Sequence, residues 1–392
     1  MVGPVEERAM GPRAVAGPRV AVTLTQCWHR VPGGTATSVL ELVRGLGAGG
    51  RVDVVGVGPA GGAPPESSFL PPVPTVRLPL PLPVLYDAWA LTGRPRPESR
   101  TGPVDLVHLT VPVTPPRTTA PLVATVHDLL PLEHPEWFTR RGTRLMARGL
   151  RAVRDRAAAV MVPSRTVADA CVGHGFDPAR VHVVPWGAPA PAVRPADLGG
   201  GRAADGPGAV ARRHGVEGPF VLFVGTDEPR KGLDVLAGAL AHLGRPDLTL
   251  VVAGPAGWGG GAADALAGVP GPVRRLGFVA PADLPALQAA AAVCCVPSRA
   301  EGFGLPVLEA LAAGAAVVTS LDTACAEVAG PAAELAAVGD ARALASALAR
   351  VLDDPVRAAE LRAAGPVRAA SFRWDDTVAA TEAVYASVLG ER

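Results

Sequence analysis

The chain of 392 residues contains no isoleucine, no asparagine and a single lysine, Lys231, against 36 arginines. This composition is typical of a bias toward GC-rich codons, which replaces Lys by Arg wherever the two serve equally. A compact ammonium group differs from a planar guanidinium in reach and hydration. Lys231 therefore marks a position where arginine does not serve, unless it is a surface lysine retained by chance.

Other absences narrow the class of protein. The five cysteines form no C-x-x-C pair and no His-rich zinc spacing, so we expect neither a disulfide framework nor a structural metal. The formal net charge of +1 gives no reason to expect a nucleic acid partner. The chain shows no apolar run of the roughly 18 to 20 residues that span a bilayer, and no basic, apolar signal sequence. We expect a cytoplasmic protein, soluble or peripheral at the inner membrane face.

Short β-rich runs alternate with Ala- and Leu-rich helical patterns in both halves of the chain. This alternation predicts parallel sheets covered by helices, and the length suggests two domains. We predict an α/β protein with two Rossmann-like, doubly wound domains that face a cleft. The predicted limits are a flexible tail over 1–18, a first domain over 19–190, a linker over 191–213, a second domain over 214–370, and a C-terminal helix over 371–392 that is free to pack back on the first domain.

The segment GTDEPRKGL follows a buried strand of the second predicted domain. Ligands of doubly wound sheets bind at the carboxyl ends of the strands. Glycines let a ligand approach the backbone, and Arg230 and Lys231 place two cations beside a helix N-terminus, which favours a diphosphate site. A solvated charge pair is the alternative.

The segment SRAEGFGLPVLEALAAG carries two carboxylates, Glu301 and Glu309. Pro306 suits a first helical turn, so Glu301 is expected in a loop and Glu309 on the helix that follows. The two carboxylates can accept hydrogen bonds from sugar hydroxyls at either end of a ligand. The backbone N–H groups expected to face the phosphates belong to four residues: Gly302, Phe303, Gly304 and Leu305.

These stretches resemble the retaining glycosyltransferases of family 4, which have the GT-B fold. In the second half the resemblance rests on FVGTDEPRKGLDVL, PSRAEGFGLPVLEALAAGAAVVTS and AEVAG. In the first half it rests on ATVHDLLPLEHPEWF and MVPSRTVADACVGHGFDPARVHVVPWG, and it covers residues 19–390. The resemblance implies transfer of a hexose, with a lean toward mannose, from a nucleotide-diphosphate sugar. The acceptor would be a glycan, a lipid-linked molecule or a small molecule.

By the same resemblance the first domain faces the acceptor and the second binds the nucleotide sugar. Arg230 and Lys231 would hold the diphosphate, Glu309 the ribose hydroxyls and Glu301 the transferred sugar. Lys231 and Glu301 are thus the expected catalytic residues of the second domain. A mobile ammonium in a dry cleft can follow the negative charge that builds on the leaving phosphate.

The first domain supplies four further candidates by resemblance. His127 would line the reaction centre with Asp128 beside it, although a helix-capping Asp next to a satisfied His is the structural alternative. Gly33 and Gly34 resemble the glycine-rich turn that faces the donor, but they could equally form a plain loop. Trp186 departs from the family pattern, which has VPNG where this chain has VPWG.

Two other classes of function compete with glycosyl transfer. A nicotinamide oxidoreductase would need a G-x-G-x-x-G after the first strand, which is missing. A non-catalytic sugar-nucleotide or glycan-binding module remains the alternative, although such a module would be expected to lose key groups that this chain keeps. Because no Asp-x-Asp occurs, we expect neither a divalent metal nor any other cofactor, with the nucleotide sugar as co-substrate.

The segment TRRGTRLMARGLRAVRDR, residues 139–156, contains seven arginines. Arg144, Arg148 and Arg151 recur at helical spacing, so one face of the predicted helix is basic. A solvated helix face is the common explanation of such a charge run. The alternative is peripheral contact with an anionic membrane, as expected of an enzyme that glycosylates lipid-linked acceptors.

Overall fold

A computed structural model describes residues 17–30, 32–64, 66–189, 206–255, 257 and 262–390. Within these residues the chain forms two parallel β-sheets, each covered by helices, and the predicted fold class is confirmed. The predicted tail, apart from residues 17 and 18, and most of the predicted linker lie outside the described residues.

The first sheet contains seven parallel strands within the described residues, in the order β3-β2-β1-β4-β5-β6-β7. The strands are β1 Arg19–Thr23, β2 Asp53–Gly58, β3 Thr75–Arg77, β4 Leu106–Leu109, β5 Leu122–Thr125, β6 Ala159–Val162 and β7 Val181–Val183. The helices that join them are α1 Gly33–Gly49, α2 Leu82–Thr92, α3 Glu98–Thr101, α4 Leu130–Glu133, α5 Arg140–Arg156 and α6 Arg165–Gly173.

The second sheet contains six parallel strands in the described part of the chain, in the order β10-β9-β8-β11-β12-β13. The strands are β8 Phe220–Val224, β9 Thr249–Ala253, β10 Val273–Gly277, β11 Val293–Val296, β12 Val317–Ser320 and β13 Ala333–Ala336. The accompanying helices are α7 Pro207–Arg213, α8 Leu233–Leu243, α9 Ala262–Ala267, α10 Leu284–Ala290, α11 Leu305–Ala312, α12 Ala324–Ala329, α13 Ala341–Leu352, α14 Pro355–Ala369 and α15 Trp374–Leu389.

The central strands are apolar on both faces because helices cover both sides of each sheet. In β1 the side chains of Val20, Ala21 and Val22 are fully buried, and Val20 pairs with strands on either side of it. Parallel pairing brings all carboxyl ends of a sheet to one edge. The loops that follow β5, β8 and β11 therefore carry the candidate site residues to the facing edges of the two sheets.

One element differs from the predicted domain limits. Residues 207–213, assigned to the linker, form α7, which packs against α10 of the second unit. β3 and β13 are short strands at the edges of the two sheets. β13 is built from AELA, which has little intrinsic strand preference, and its pairing with β12 decides its conformation.

The C-terminal helix α15 packs on α1 of the first unit. Its fully buried Tyr385 places its hydroxyl 2.7 Å from the Nδ1 of His108 on β4. The Nε2 of His108 lies 2.8 Å from the Oγ1 of Thr125 on β5. Burial lowers the pKa of His108 to about 3, so the imidazole is neutral and is satisfied by two hydroxyls. This buried network fixes α15 to the first sheet.

The segment by which the chain leaves the first unit packs against the segment by which it returns to that unit. The N–H of Ala188 donates to the carbonyl of Phe372 over 2.8 Å. The rings of Trp186 and Trp374 stack with centroids 6.1 Å apart, and a Cβ at Gly187 would collide with Trp374. The departing segment and the returning segment therefore form one packed contact.

Candidate active site

Lys231 lies at the end of a 3-10 turn, Pro229–Lys231, between β8 and α8. Gly232 ends the turn with φ 69°, and a Cβ there would lie 2.1 Å from the carbonyl oxygen of Pro297. Only glycine permits both the left-handed conformation and this close approach. The turn therefore lies tightly against the loop after β11 and buries Lys231 to 8% exposure.

Glu301 binds the ammonium of Lys231 from the loop after β11. The Nζ of Lys231 lies 2.5 Å from the Oε1 of Glu301, and the hydroxyl of Ser298 donates to the same oxygen over 2.9 Å. Arg230 donates through Nη1 to the Oε2 of Glu301 over 3.1 Å. Burial by itself would raise the pKa of Glu301, but Lys231 and Arg230 outweigh it and hold the pKa at about 2. Glu301 is thus an ionised carboxylate between two cations.

Arg230 also binds a second carboxylate that sequence reasoning missed. Its Nε donates to the Oε2 of the buried Glu228 over 2.8 Å. Arg299 supports the same turn from outside, donating to the Pro229 carbonyl and forming a two-pronged pair with Asp234 at 2.8 and 2.6 Å. Such bidentate pairs are directional as well as strong. These bonds fix the turn that carries the two cations.

Glu309 lies on α11, which begins at Leu305 after Gly304. Gly304 has φ 95°, and a Cβ there would lie 2.9 Å from the Sγ of Cys325, so the helix start requires glycine. Burial raises the pKa of Glu309 to about 7, opposed only partly by Lys231. The Glu309 side chain forms no hydrogen bond with any described residue and is free to bind a ligand.

His127 and Asp128 approach the second unit from the end of β5. A Cβ at Gly302 would lie 1.7 Å from the carbonyl oxygen of His127, so these backbones touch and only glycine fits. The Nε2 of His127 donates to the Thr110 carbonyl over 2.8 Å, and burial lowers the pKa of His127 to about 4. The imidazole is therefore neutral, with Nδ1 as an acceptor.

Asp128 lies two residues before α4, whose N-cap position is Leu129. Its Oδ1 accepts from the N–H of Leu130 over 3.2 Å at the start of α4. Burial raises the pKa of Asp128, and the charge of Arg230 opposes that rise. Asp128 therefore both binds the first backbone N–H of α4 and contributes to the field around the cations of the second unit.

The remaining candidate donor-binding residues are the two glycines at the start of α1 and Phe303 in the loop before α11. Gly33 and Gly34 open α1, where a Cβ on Gly34 would lie 3.1 Å from the Cδ1 of Leu305, so this turn faces α11. The backbone N–H of Phe303 is expected to face the phosphates, and its side chain is buried against Phe372 in an edge-to-face contact. The side chain of Phe303 is therefore a packing residue, and only its backbone remains available to a ligand.

Contacts between the two units include residues that sequence reasoning missed. The hydroxyl of Ser164 donates to the carbonyl of Gly302 over 2.7 Å. Glu327 on α12 accepts from the N–H groups of Arg165 and Thr166, the first two residues of α6, at 2.9 and 3.1 Å. A carboxylate at a helix N-terminus is favoured by the helix dipole. Ser164 also caps α6, and nothing in the sequence indicates that this helix start has a partner in the other half of the chain.

Trp186, the departure from the family pattern, is buried beside the site. Its ring centroid lies 5.7 Å from that of His127. On its other side it stacks on Trp374. Trp186 thus packs against the imidazole of His127 and connects it to Trp374 at the start of α15.

The arrangement combines groups suited to a sugar linked to a diphosphate. Arg230 and Lys231 supply positive charge at one point, and the neighbouring carboxylates of Glu301 and Glu309 accept hydrogen bonds. Within the described ranges, no three His, Cys, Asp or Glu side chains come together as a metal ion would require. The charged groups of this cleft are the cations of Arg230 and Lys231 and the carboxylates of Glu301 and Glu309.

The arginine-rich segment forms α5, whose side chains of Arg144, Arg148 and Arg151 are exposed. Arg141 ties α5 to the neighbouring α2 through Asp87 at 2.6 Å. None of the helices in the described part of the chain has the length and apolar content to cross a bilayer.

Two Rossmann-like units with such a cleft define the GT-B class of protein. The family model described as "Glycosyltransferase Family 4" matches residues 32–190, and the one described as "Glycosyl transferases group 1" matches residues 218–354. Relatives and structural neighbours agree with these matches. The chain belongs to glycosyltransferase family 4.

Two curated relatives are similar over most of the chain. The MMP alpha-(1->4)-mannosyltransferase of Mycolicibacterium hassiacum is 29% identical over 286 residues, which are 69% of this chain and 66% of the relative. The D-inositol 3-phosphate glycosyltransferase of Mycobacterium avium is 34% identical over 290 residues, which are 70% of this chain and 66% of the relative. The matches thus span just under two thirds of these relatives.

A solved structure shows the same fold. Anabaena Alr3699/HepE in complex with UDP and glucose superposes with a TM-score of 0.70 and 19% sequence identity. The superposition covers 94% of this chain and 100% of that one.

Proposed function

We propose that this chain is a retaining glycosyltransferase that moves a hexose, with mannose as the first candidate, from a nucleotide-diphosphate sugar to an acceptor. One observation carries the proposal: Lys231 and Arg230 converge on Glu301 where the two units touch. A binding module without catalysis would not need a buried ammonium beside the place where a leaving group departs. The mannosyltransferase among the relatives supports the choice of sugar.

Each of these residues has a different role in the proposed transfer. Arg230 and Lys231 bind the diphosphate and stabilise the charge that develops on it as the sugar leaves. Glu309 accepts hydrogen bonds from the ribose hydroxyls, and Glu301 holds the sugar through its hydroxyls while keeping the cations in place. The neutral Nδ1 of His127 accepts a hydrogen bond from the sugar or the acceptor.

The leaving phosphate itself serves as the base in this scheme. The acceptor hydroxyl attacks from the face that the phosphate vacates, and its proton passes to a phosphate oxygen. Glu301 is paired with Lys231 and Arg230, so it is poorly placed to act as a free nucleophile. The bond to the acceptor therefore has the same anomeric configuration as the broken bond to the diphosphate.

The acceptor side of the proposal includes contact with an anionic membrane. Arg144, Arg148 and Arg151 form an exposed ridge on α5 that makes no side-chain hydrogen bond or ion pair with a described residue. The adjoining α2 exposes two apolar side chains one heptad apart, Val84 at 49% and Leu91 at 76%. Arginines beside exposed apolar groups suit the headgroup region of an anionic lipid surface.

A two-stage experiment tests the proposed reaction. Thermal unfolding with GDP, UDP, ADP and TDP identifies the nucleotide, since a ligand that binds only the folded state raises the melting temperature. Turnover with the matching sugar nucleotides follows, and proton NMR of the fresh product reads the anomeric configuration. We expect retention. Inversion would contradict the mechanism, and nucleotide binding without transfer to any acceptor would favour a binding module.

A further inference from the structure

A cluster of aromatic and basic side chains lies at the carboxyl edge of the first sheet. Trp28 and His29 follow β1, and Arg77 is the last residue of β3. The loop that carries Trp28 and His29 leads into α1, where Gly34 faces Leu305 of α11, so the cluster borders the cleft between the two units. β1 lies two places along the sheet from β5, a separation of about 10 Å at the usual strand spacing. The cluster is therefore apart from the proposed reaction centre.

The guanidinium of Arg77 is held in place by the ring of Trp28. Its central carbon lies 4.3 Å from the ring centroid, which is a cation–π contact. The ring is itself fixed, because its Nε1 donates to the carbonyl of Gly62 over 3.0 Å and a Cβ at Gly58 would lie 3.0 Å from it. The Nη1 of Arg77 donates to the carbonyl of Pro59 over 3.4 Å. These contacts position the guanidinium and leave most of its donors unused.

The charge of Arg77 has no carboxylate partner in the described part of the chain. Arg77 is half-buried, and burial lowers its pKa without an opposing contribution from any carboxylate. The N–H groups that do not bind Pro59 are accessible. A guanidinium binds a phosphate or a carboxylate through two parallel hydrogen bonds. An anionic ligand would therefore supply the charge that the protein does not.

His29 provides an acceptor beside this cation. Its Nε2 lies 2.9 Å from the hydroxyl of Tyr86, which donates its proton to the Oγ1 of Thr25 over 3.0 Å. Nε2 must therefore carry a proton, and burial lowers the pKa of His29, so the imidazole is neutral. The other nitrogen, Nδ1, is then an acceptor that is accessible and that no described residue binds. A ligand hydroxyl can donate to it.

Arg77 and His29 suit different parts of one ligand. A sugar or polyol that carries a phosphate or a carboxylate offers both an anionic group and a hydroxyl, whereas a neutral sugar would leave Arg77 without a counter-charge. We propose that the acceptor is an anionic sugar or polyol of this kind, bound by Arg77 and His29 on the wall of the first unit. This inference rests on the proposed function, because it names the class of acceptor for that transfer.

Ligand-observed NMR titration of the full chain tests the site with three probes that share one ring: glucose 6-phosphate, glucuronate and glucose. We expect at least one charged probe to bind about tenfold more tightly than glucose, the effect of one charge-assisted hydrogen bond. This advantage should shrink as ionic strength rises. Lys231→Met, which weakens the anion site of the donor cleft, should leave the binding of the charged probes unchanged.

Substitutions in the cluster separate the two roles. Arg77→Gln should weaken the charged probe about tenfold and leave glucose unchanged, while Arg77→Lys keeps the charge and should retain part of the advantage. His29→Phe removes the acceptor but keeps a ring, so it should weaken charged and neutral probes alike. Arg100→Gln is the matched control, because Arg100 is exposed on α3 of the same unit and lies outside the cluster. Thermal unfolding verifies that each variant is folded.

Three results would overturn the inference. The first is a wild-type chain that binds neither charged probe more tightly than glucose. The second is wild-type affinity for the charged probes in Arg77→Gln. The third is loss of their binding in Lys231→Met but not in Arg77→Gln, which would assign the anion to the donor cleft.

Failure of this inference can be told apart from failure of the proposed function. Transfer to neutral acceptors only, with unchanged kcat/KM in Arg77→Gln, would refute the anionic acceptor and keep the transfer. A chain that binds a charged probe through Arg77 but binds no nucleoside diphosphate would refute the transfer and leave an anion site that does not serve an acceptor.

Discussion

The Nζ of Lys231 lies 2.5 Å from the Oε1 of Glu301, at a position where the lysine is only 8% exposed. The neighbouring Arg230 binds the other oxygen of the same carboxylate and is more exposed. The two cations are therefore not equivalent: one is a buried point charge and the other a forked group at the edge of the site. We propose that this difference is the reason why a chain with 36 arginines keeps one lysine here.

Lys231→Arg should lower kcat/KM by about 100-fold, equivalent to about 2.7 kcal/mol of transition-state stabilisation. The guanidinium is larger and planar, whereas Lys231 is a compact ammonium at a position that is only 8% exposed. Steady-state kinetics with the identified donor measure the loss. Arg230→Lys is the control and should lose less, since Arg230 has a side chain with 23% exposure. Wild-type kcat/KM in Lys231→Arg would mean that the lysine was retained by chance.

Glu301→Gln and Glu309→Gln should fail in different ways. Glu301 is paired with both cations, so its loss should mainly lower kcat while the cations still bind the diphosphate. Glu309 is expected to meet the ribose, so its loss should mainly weaken nucleotide binding, by about tenfold. Calorimetry with the bare nucleoside diphosphate separates the two. An equal loss of nucleotide affinity in both variants would refute this division of roles.

Nucleotide affinity should rise with pH between about pH 6 and 8. Burial raises the pKa of Glu309 to about 7, so near neutrality the free protein holds this carboxyl partly protonated. Ribose hydroxyls that donate to the carboxylate favour its ionised form, so binding lowers this pKa and releases a proton. Calorimetry in buffers of different ionisation enthalpy counts that proton. Glu309→Gln should abolish the release, and an unchanged release in that variant would assign the proton elsewhere.

Turnover should continue in excess EDTA. Divalent cations prefer carboxylate oxygens, whereas in this cleft the Glu301 carboxylate is already bound by Lys231 and Arg230. The two side-chain cations provide the positive field for the diphosphate. Activity that disappears with EDTA and returns with Mg²⁺ or Mn²⁺ would show that the diphosphate binds somewhere else.

Binding to anionic vesicles should be measurable at low salt and should fade as ionic strength rises. Changing Arg144, Arg148 and Arg151 together to Gln should abolish it, because they form the exposed basic ridge of α5. Sedimentation with vesicles of mixed neutral and anionic lipid gives the measurement. The control changes three exposed arginines on other elements: Arg100, Arg274 and Arg342. Equal loss of binding in both triple variants would show that vesicle binding depends on the net charge of the protein and not on the α5 ridge.

Local sequence chemistry was enough to predict part of the site. Gly304 and Pro306 mark a helix start, so the placement of Glu301 in a loop and Glu309 on α11 follows from the sequence. The alternation of strands and helices likewise predicted both sheets. These features depend on residues close together in the chain.

Contacts between residues that are far apart in the sequence could not be predicted in the same way. Glu228 satisfies Arg230, and Glu327 binds the start of α6 from 162 residues away in sequence. Such partners are brought together by strand order and by the contact between units, which a single sequence does not display. The packing of the Phe303 side chain against Phe372 is another contact of this kind, because Phe372 lies in the distant C-terminal segment.

The adjoining segments at Ala188 and Phe372 have a mechanical consequence. Because the chain leaves and re-enters the first unit at one place, that place can serve as a hinge if the two units separate. The Ser164 and Glu327 bonds would have to break in such an opening, while the hydrogen bond between Ala188 and Phe372 can persist. Trp186 packs against both Trp374 and His127, so a turn about this place would leave the support of the His127 imidazole intact.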